Sequence, residues 1–232
     1  MVAFYGFRGG AGRTTALAHV AVSLAEASRR VVVIDLDLEA PGVHTVLGVP
    51  NVQEGEGSLA LLRQAMTRAP DEELPIDPHV VFRDLPMGTR VHVIPAGPLS
   101  ERYLASLEEL QVGAWHMLHE PAPLGRLIDN VVRDLSPDIV LLDCRTGLSG
   151  LAASAIFHVA DVVVCFIPLS EQALEGLDVF LAATAAAKAR RQNRPALLLV
   201  PSMVPEGPEG QARLATLVPL FEDRYLQQIG GL

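Results

Sequence analysis

Three polar clusters in this chain carry residue types suited to holding a polyphosphate and a hard cation. The first is Arg8-Gly9-Gly10-Ala11-Gly12-Arg13-Thr14-Thr15. Closely spaced glycines let backbone N–H groups turn inward toward an anion, and a helix that starts just after them adds unpaired N–H groups and partial positive charge. The second cluster is Asp35-Leu36-Asp37-Leu38-Glu39-Ala40-Pro41-Gly42, and the third is Asp143-Cys144-Arg145-Thr146-Gly147-Leu148-Ser149. Carboxylates and a threonine hydroxyl are the oxygen donors that Mg2+ accepts. Arg8 and Arg13 are guanidinium groups, which meet phosphate oxygens in a two-pronged way that an ammonium cannot.

Such clusters act only if a frame brings them together, and the hydropathy pattern supplies one. Apolar runs predict strands at 2–7, 31–36, 91–95, 138–143, 161–167 and 196–201. These runs are near-continuous rather than alternating, as expected for a parallel sheet buried on both faces. Helical patterns fall between them, at 14–28, 58–69, 101–118, 122–135, 170–192 and 209–229. The alternation predicts an α/β fold, a three-layer doubly wound, mostly parallel sheet. Ligands gather at the carboxyl ends of strands in such sheets, which is where all three clusters lie. The stretch 70–90, with Pro70, Pro75, Pro78 and Pro86, reads as a surface excursion, and 201–210 reads as a loop.

The 232 residues suit a single domain of ordinary size. Half are hydrophobic and only 5% aromatic, so the core is built mainly from Ala, Val, Leu and Ile. With 27 acidic against 18 basic residues the net charge is −9, which argues against a general nucleic-acid coat. The basic fragment 188–194 is better explained by a cation-rich helix end than by a DNA-binding patch. Cys144 and Cys165 lie in or beside apolar runs and are expected as buried free thiols. No uncharged apolar span reaches the length of a membrane helix. The first strand follows the N-terminus with no room for a signal peptide, so a cytoplasmic protein is expected. His116 and His119 stand at helical spacing but have no third ligand nearby, so they read as ordinary helix residues. The partly amphipathic stretch Leu214–Leu232 is broken by Pro219 and reads as a packing face rather than a membrane anchor.

Gly12-Arg13-Thr14 fills the end of the generic phosphate-loop pattern GxxxxGK[ST], with Phe7 at the first glycine position and Arg13 at the lysine position. Together with the two aspartate clusters in this order, the chain resembles the deviant Walker-A ATPases, the ParA and MinD family of the SIMIBI class. That family's loop reads KGGxGKT, which places Arg8 at its signature lysine. Asp35 and Asp37 match its Asp-x-Asp box and Asp143 its Walker-B aspartate. Val93-Ile94-Pro95-Ala96-Gly97, the run Ala160–Val164 and Glu175-Gly176 are further echoes, so the resemblance runs from residue 2 to about 201.

The resemblance implies a nucleotide held by Gly9, Gly10, Ala11, Gly12, Arg13, Thr14 and Thr15, and Mg2+ held by Thr14, Asp35 and Asp143. Asp37 would position the attacking water. Arg8 would reach across an ATP-dependent homodimer and act on the transferring phosphoryl group in the manner of an arginine finger. The implied function is a Mg-ATP switch with slow hydrolysis that controls a protein partner, a cargo or a fused effector. Two departures stand out: both family lysines are arginine, and the family's usual closing strand and helix are lacking.

Read without the resemblance, the same residues leave other roles open. Strand-end aspartates often cap the next turn, and Thr14 suits a helix N-cap. The two arginines also suit a nucleotide-binding interaction scaffold that has no turnover. Arg145-Thr146-Gly147 is either a γ-phosphate switch or a strand-to-helix turn with Gly147 left-handed. Glu39 reads as a solvated loop residue. A dinucleotide-binding reductase is the third possibility, weakened by the absence of GxGxxG after the first strand.

Overall fold

The structure is a computed structural model that describes residues 1–112, 123–147, 149–188 and 195–226. Its strands are β1 (Val2–Gly6), β2 (Val31–Leu36), β3 (Val81–Asp84), β4 (Arg90–Ile94), β5 (Ile139–Cys144), β6 (Val162–Pro168) and β7 (Ala196–Ser202). They form one sheet in the order β3-β4-β2-β5-β1-β6-β7. Every neighbouring pair is parallel except β3 and β4. The helices are α1 (Arg13–Glu26), α2 (Val43–Leu47), α3 (Ser58–Thr67), α4 (Glu101–Val112), α5 (Pro123–Leu135), α6 (Gly150–Ser154), α7 (Glu171–Lys188) and α8 (Pro208–Tyr225).

The near-continuous apolar runs follow from two cores, one on each face of the sheet. Alternate strand residues feed opposite sides, because side chains along a strand point up and down in turn. Phe4, Val31, Val33 and Leu141 meet Leu17, Ala21 and Ala25 of α1 and Val43 and Leu47 of α2. Ala3, Tyr5, Val32, Ile34 and Leu142 meet Leu59 and Leu62 of α3, Leu124 and Leu127 of α5 and Phe180 of α7. Cys144 and Cys165 are buried free thiols, as their apolar settings predict.

The segment 70–90 departs from expectation. Leu74 and Ile76 are fully buried members of the larger core, and the Leu74 N–H donates to Asn130 Oδ1 at 3.1 Å. Beyond them β3 pairs antiparallel with β4 as an edge strand. Its residues Phe82, Arg83 and Asp84 are exposed, so it lacks the apolar run that identifies the inner strands. The one-turn helices α2 and α6 were not foreseen either, being too short to show a helical period. His116, His119 and residues 189–194 lie outside the described residues, as do the last residues of the expected C-terminal helix.

One junction fixes the loop that follows β2. The first backbone donors of α3, which have no partner within the helix, are satisfied by the end of β4: Ser58 N–H bonds Pro95 O at 2.8 Å and Leu59 N–H bonds Ala96 O at 3.2 Å. Gly57, at φ +101°, makes this approach possible, since a Cβ there would come within 2.7 Å of the backbone of Pro95 and Ala96. The Gly57 N–H donates to His79 Nδ1 at 2.8 Å, and the Ser58 hydroxyl donates to the carbonyl of Asp35.

His79 is buried, and burial lowers its pKa against the opposing attraction of Glu56. Only the neutral ring can accept the Gly57 N–H. A pKa lowered in the folded state means that the unfolded chain binds the proton first. Stability is therefore complete above about pH 6.5 and falls as pH drops, by at most about 1.4 kcal/mol per pH unit from this residue. Urea denaturation at about pH 7 and pH 5 should show a smaller acid loss in His79→Asn than in the parent chain. An equal loss in both would remove His79 from the account.

Candidate nucleotide site

The glycine-rich segment leaves the end of β1 and enters α1. Gly10 and Gly12 adopt φ +75° and +78°, the left-handed region that only glycine enters freely. Phe7, at the phosphate loop's usual first glycine, is accommodated by Gly176 of α7: a Cβ at 176 would lie 2.3 Å from the phenyl ring. The Phe at 7 and the Gly at 176 thus depend on one another.

Beside this loop, the parallel register sets Asp35 of β2 opposite Asp143 of β5, and Phe4 of β1 also opposite Asp143. The side chain of Arg13 turns inward and clamps two of the aspartates. Its Nε donates to Asp143 Oδ1 at 2.7 Å and its Nη2 to Asp37 Oδ2 at 2.7 Å. Thr14 Oγ1 donates to the other Asp143 oxygen at 2.8 Å. Arg13 is only 7% exposed and Asp143 1%, so this is a buried ion pair rather than a surface one. Burial pushes the Asp143 carboxyl above the usual range, and Arg13 and Thr14 oppose the push. Burial likewise weakens the proton affinity of Arg13, but the charges of Asp143 and Asp37 outweigh it. Arg13 Nη1 is buried without a hydrogen-bond partner among the described residues.

Asp35 and Asp37, two apart in sequence, take different tasks. Asp35 is fully buried and accepts three backbone N–H groups, from Asp37 at 3.0 Å, Gly42 at 3.1 Å and Val43 at 3.2 Å. Burial and the nearby charge of Asp143 raise its pKa to about 7, against the pull of those donors. Asp35 therefore holds the turn after β2, and Asp37 projects toward Arg13. β2 ends at Leu36, so Asp37 stands in the loop just beyond the strand while Asp35 stands on it.

A cavity of about 580 Å3 opens over residues 8–15 and is walled by Asp37, Glu39, Ala40, Arg145 and Thr146. Its size lies within the range of small-molecule sites. Arg8, Gly9, Gly10, Gly12 and Thr15 are exposed there, while Ala11 is buried. Gly147 has φ +75° and its N–H donates to Gly6 O at 3.3 Å, tying the segment after β5 to the end of β1. Glu39, read from the sequence as merely solvated, forms an ion pair with Arg145 and accepts from Gln111 Nε2 at 2.9 Å. No local signal marks that pair; it exists because β2 and β5 are neighbours.

The oxygens expected to hold Mg2+ are committed elsewhere. Both Asp143 oxygens and the Thr14 hydroxyl are bonded within the clamp, and the Asp35 oxygens face backbone donors. Among the described residues, no group of three or more His, Cys, Asp or Glu side chains is arranged to hold a metal ion. The donor set as folded does not fit a bound Mg2+: Arg13 already holds Asp143, Thr14 bonds the same carboxylate, and Asp35 serves backbone donors.

The family model described as an AAA domain matches residues 1–197. The chain belongs to this AAA domain family. Its fold is the one seen in ParA- and MinD-like ATPases of the SIMIBI class. Cyanothece McdA in its apo form is matched at 15% identity with a TM-score of 0.68, over 98% of this chain and 82% of that one. Cobyrinic acid a,c-diamide synthase from Mycobacterium smegmatis, with bound ADP and magnesium, is matched at 20% identity and a TM-score of 0.67, over 94% of this chain and 80% of that one. MinD, the cell division ATPase of Pyrococcus furiosus, is matched at 19% identity and a TM-score of 0.54, over 85% of this chain and 68% of that one. At these identities the likeness is one of fold. No curated protein sequence matches the chain.

Within this family member the clamp has a measurable cost of removal. Taking one partner from a buried ion pair leaves a charge without compensation, typically costing about 3–5 kcal/mol. Arg13→Met should lower the unfolding free energy at neutral pH by that order, and Arg13→Lys by clearly less, because it keeps the charge. Equal, negligible losses in denaturant titrations would show that the clamp contributes little.

Proposed function

We propose that the chain is an ATP-binding molecular switch of the ParA/MinD type, with slow hydrolysis coupled to dimerisation and to control of a partner or cargo. The observation that carries the reading is the cavity itself. A glycine-rich loop, the N-terminus of α1 and three arginines meet there at the carboxyl ends of β1, β2 and β5. Structures of this fold include an ATP complex of a Cyanothece McdA variant and a magnesium–ADP complex of MinD from Pyrococcus horikoshii.

In this reading one ATPase domain spans residues 1–232. The backbone of Gly9, Gly10, Ala11 and Gly12 cradles the phosphates, with Arg13, Thr14 and Thr15 at the helix start. Arg8, exposed at the cavity's rim, supplies positive charge across a homodimer. Asp37 orients the attacking water once Arg13 releases it, and that requirement keeps turnover slow. Magnesium accompanies nucleotide in structures of this fold; here its expected donors Thr14, Asp35 and Asp143 are already engaged. No helix among the described residues is long and apolar enough to cross a membrane, and we place the switch in the cytoplasm.

A second reading has its own support in the clamp. Because Arg13 holds Asp37, the chain also suits a nucleotide-bound scaffold that never hydrolyses. Two measurements on one preparation separate the two readings. Equilibrium binding of a fluorescent ATP analogue should be saturable, and phosphate release should run at about 10⁻⁴–10⁻³ s⁻¹, the scale of an unassisted P-loop GTPase. Asp37→Ala should abolish the release and spare the binding. Saturable binding without release selects the scaffold. No binding of any nucleoside triphosphate removes both.

A further inference from the structure

We propose that Arg13 is an internal counter-cation that stands in the divalent metal's place, so that this chain binds a nucleoside triphosphate without requiring Mg2+. The nucleotide part of this inference rests on the ATP-binding reading; the exclusion of the metal rests on the clamp alone.

A divalent ion at the start of a phosphate-loop helix draws on the helix Ser or Thr hydroxyl and on an aspartate from a neighbouring strand. Here those groups are Thr14 and Asp143, and they bond one another at 2.8 Å. The second Asp143 oxygen takes Arg13 Nε, and Asp37 from the adjoining loop takes Nη2, both at 2.7 Å. One planar cation thus spans two carboxylates from different strand ends, a task a lysine ammonium does less well because it lacks the fixed fork. Guanidinium stays charged at any working pH, so the bridge cannot be opened by losing its proton. A metal ion would have to displace it while carrying the cost of its own dehydration.

The third guanidinium nitrogen, Nη1, is buried and has no acceptor among the described residues, although Arg13 lines the loop cavity. Buried donors without partners are rare and costly. Nη1 is closed to solvent, so a phosphate oxygen held by the loop completes the fork only where the side chain or the loop shifts to meet it. The other charged groups around the cavity are Arg8, Arg145 and its partner Glu39. The arginines supply positive charge toward a polyphosphate without help from a metal.

The first arm of the test uses no nucleotide. The full-length chain and its Arg13→Met and Arg13→Lys variants are melted with and without Mn2+. The parent melting temperature should not respond. Arg13→Met, with Asp37 and Asp143 unpaired, should gain about 2–4 °C or more, and Arg13→Lys a smaller amount. A parent chain stabilised by Mn2+ as much as the variants would overturn the proposal. The second arm measures binding of the fluorescent ATP analogue in Mg2+ and in EDTA. The parent affinities should agree within about twofold, and Arg13→Lys should bind about tenfold more tightly with Mg2+. A parent chain that binds only with Mg2+ overturns the proposal even if the switch reading stands. If no form binds nucleotide but the variants still respond to Mn2+, the switch reading falls and the counter-cation stands.

Discussion

A permanently charged guanidinium inside a folded domain is tolerable only where anions are already waiting for it. Arg13 meets that condition through Asp143 and Asp37, and the arrangement constrains much of the molecule. Arg13 arrives on the loop from β1, Asp143 at the end of β5 and Asp37 just beyond β2. The clamp closes only because β5 lies between β1 and β2 in the sheet. A strand order that separated these ends would leave a charge buried without a partner, at a cost comparable to much of a domain's net stability.

The loop that carries Asp37 is held from several directions. Asp35 binds its backbone from within, Tyr103 donates to Leu38 O at 2.7 Å, and Ser58 bonds the Asp35 carbonyl. These contacts are buried or partly so and keep Asp37 in reach of Arg13. The neighbouring Glu39–Arg145 pair is different, since both side chains are more than 30% exposed. Exposed pairs contribute about 0–1 kcal/mol, far less than breaking a buried one. The rim is therefore the cheap place to rearrange, and the clamp beneath it is the expensive one.

Much of the frame could be read from residue order. The six apolar runs became strands with ends shifted by a residue or so, and the expected helices formed wherever the chain is described. Both cysteines proved to be buried thiols. The failures share a cause. β3 is an exposed edge strand, α2 and α6 are single turns, and Leu74 and Ile76 enter the core from a proline-rich stretch. None of these carries a periodic apolar pattern over enough residues to stand out. The pairing of Phe7 with Gly176 leaves no local signal, because its members are far apart in sequence.

From the residues alone one could tell the fold class, the strand-end location of the three polar clusters and the charge types they bring. Those properties are local: they depend on hydropathy period, glycine content and side-chain chemistry within short windows. Only the tertiary structure decided that Arg13 faces carboxylates, that Asp35 is spent on backbone donors, and that Glu39 finds Arg145. The Arg13–Asp143 bond joins residues 130 positions apart. Its distance and geometry are set by strand order and register, to which a local pattern of hydrophobic and polar residues is blind.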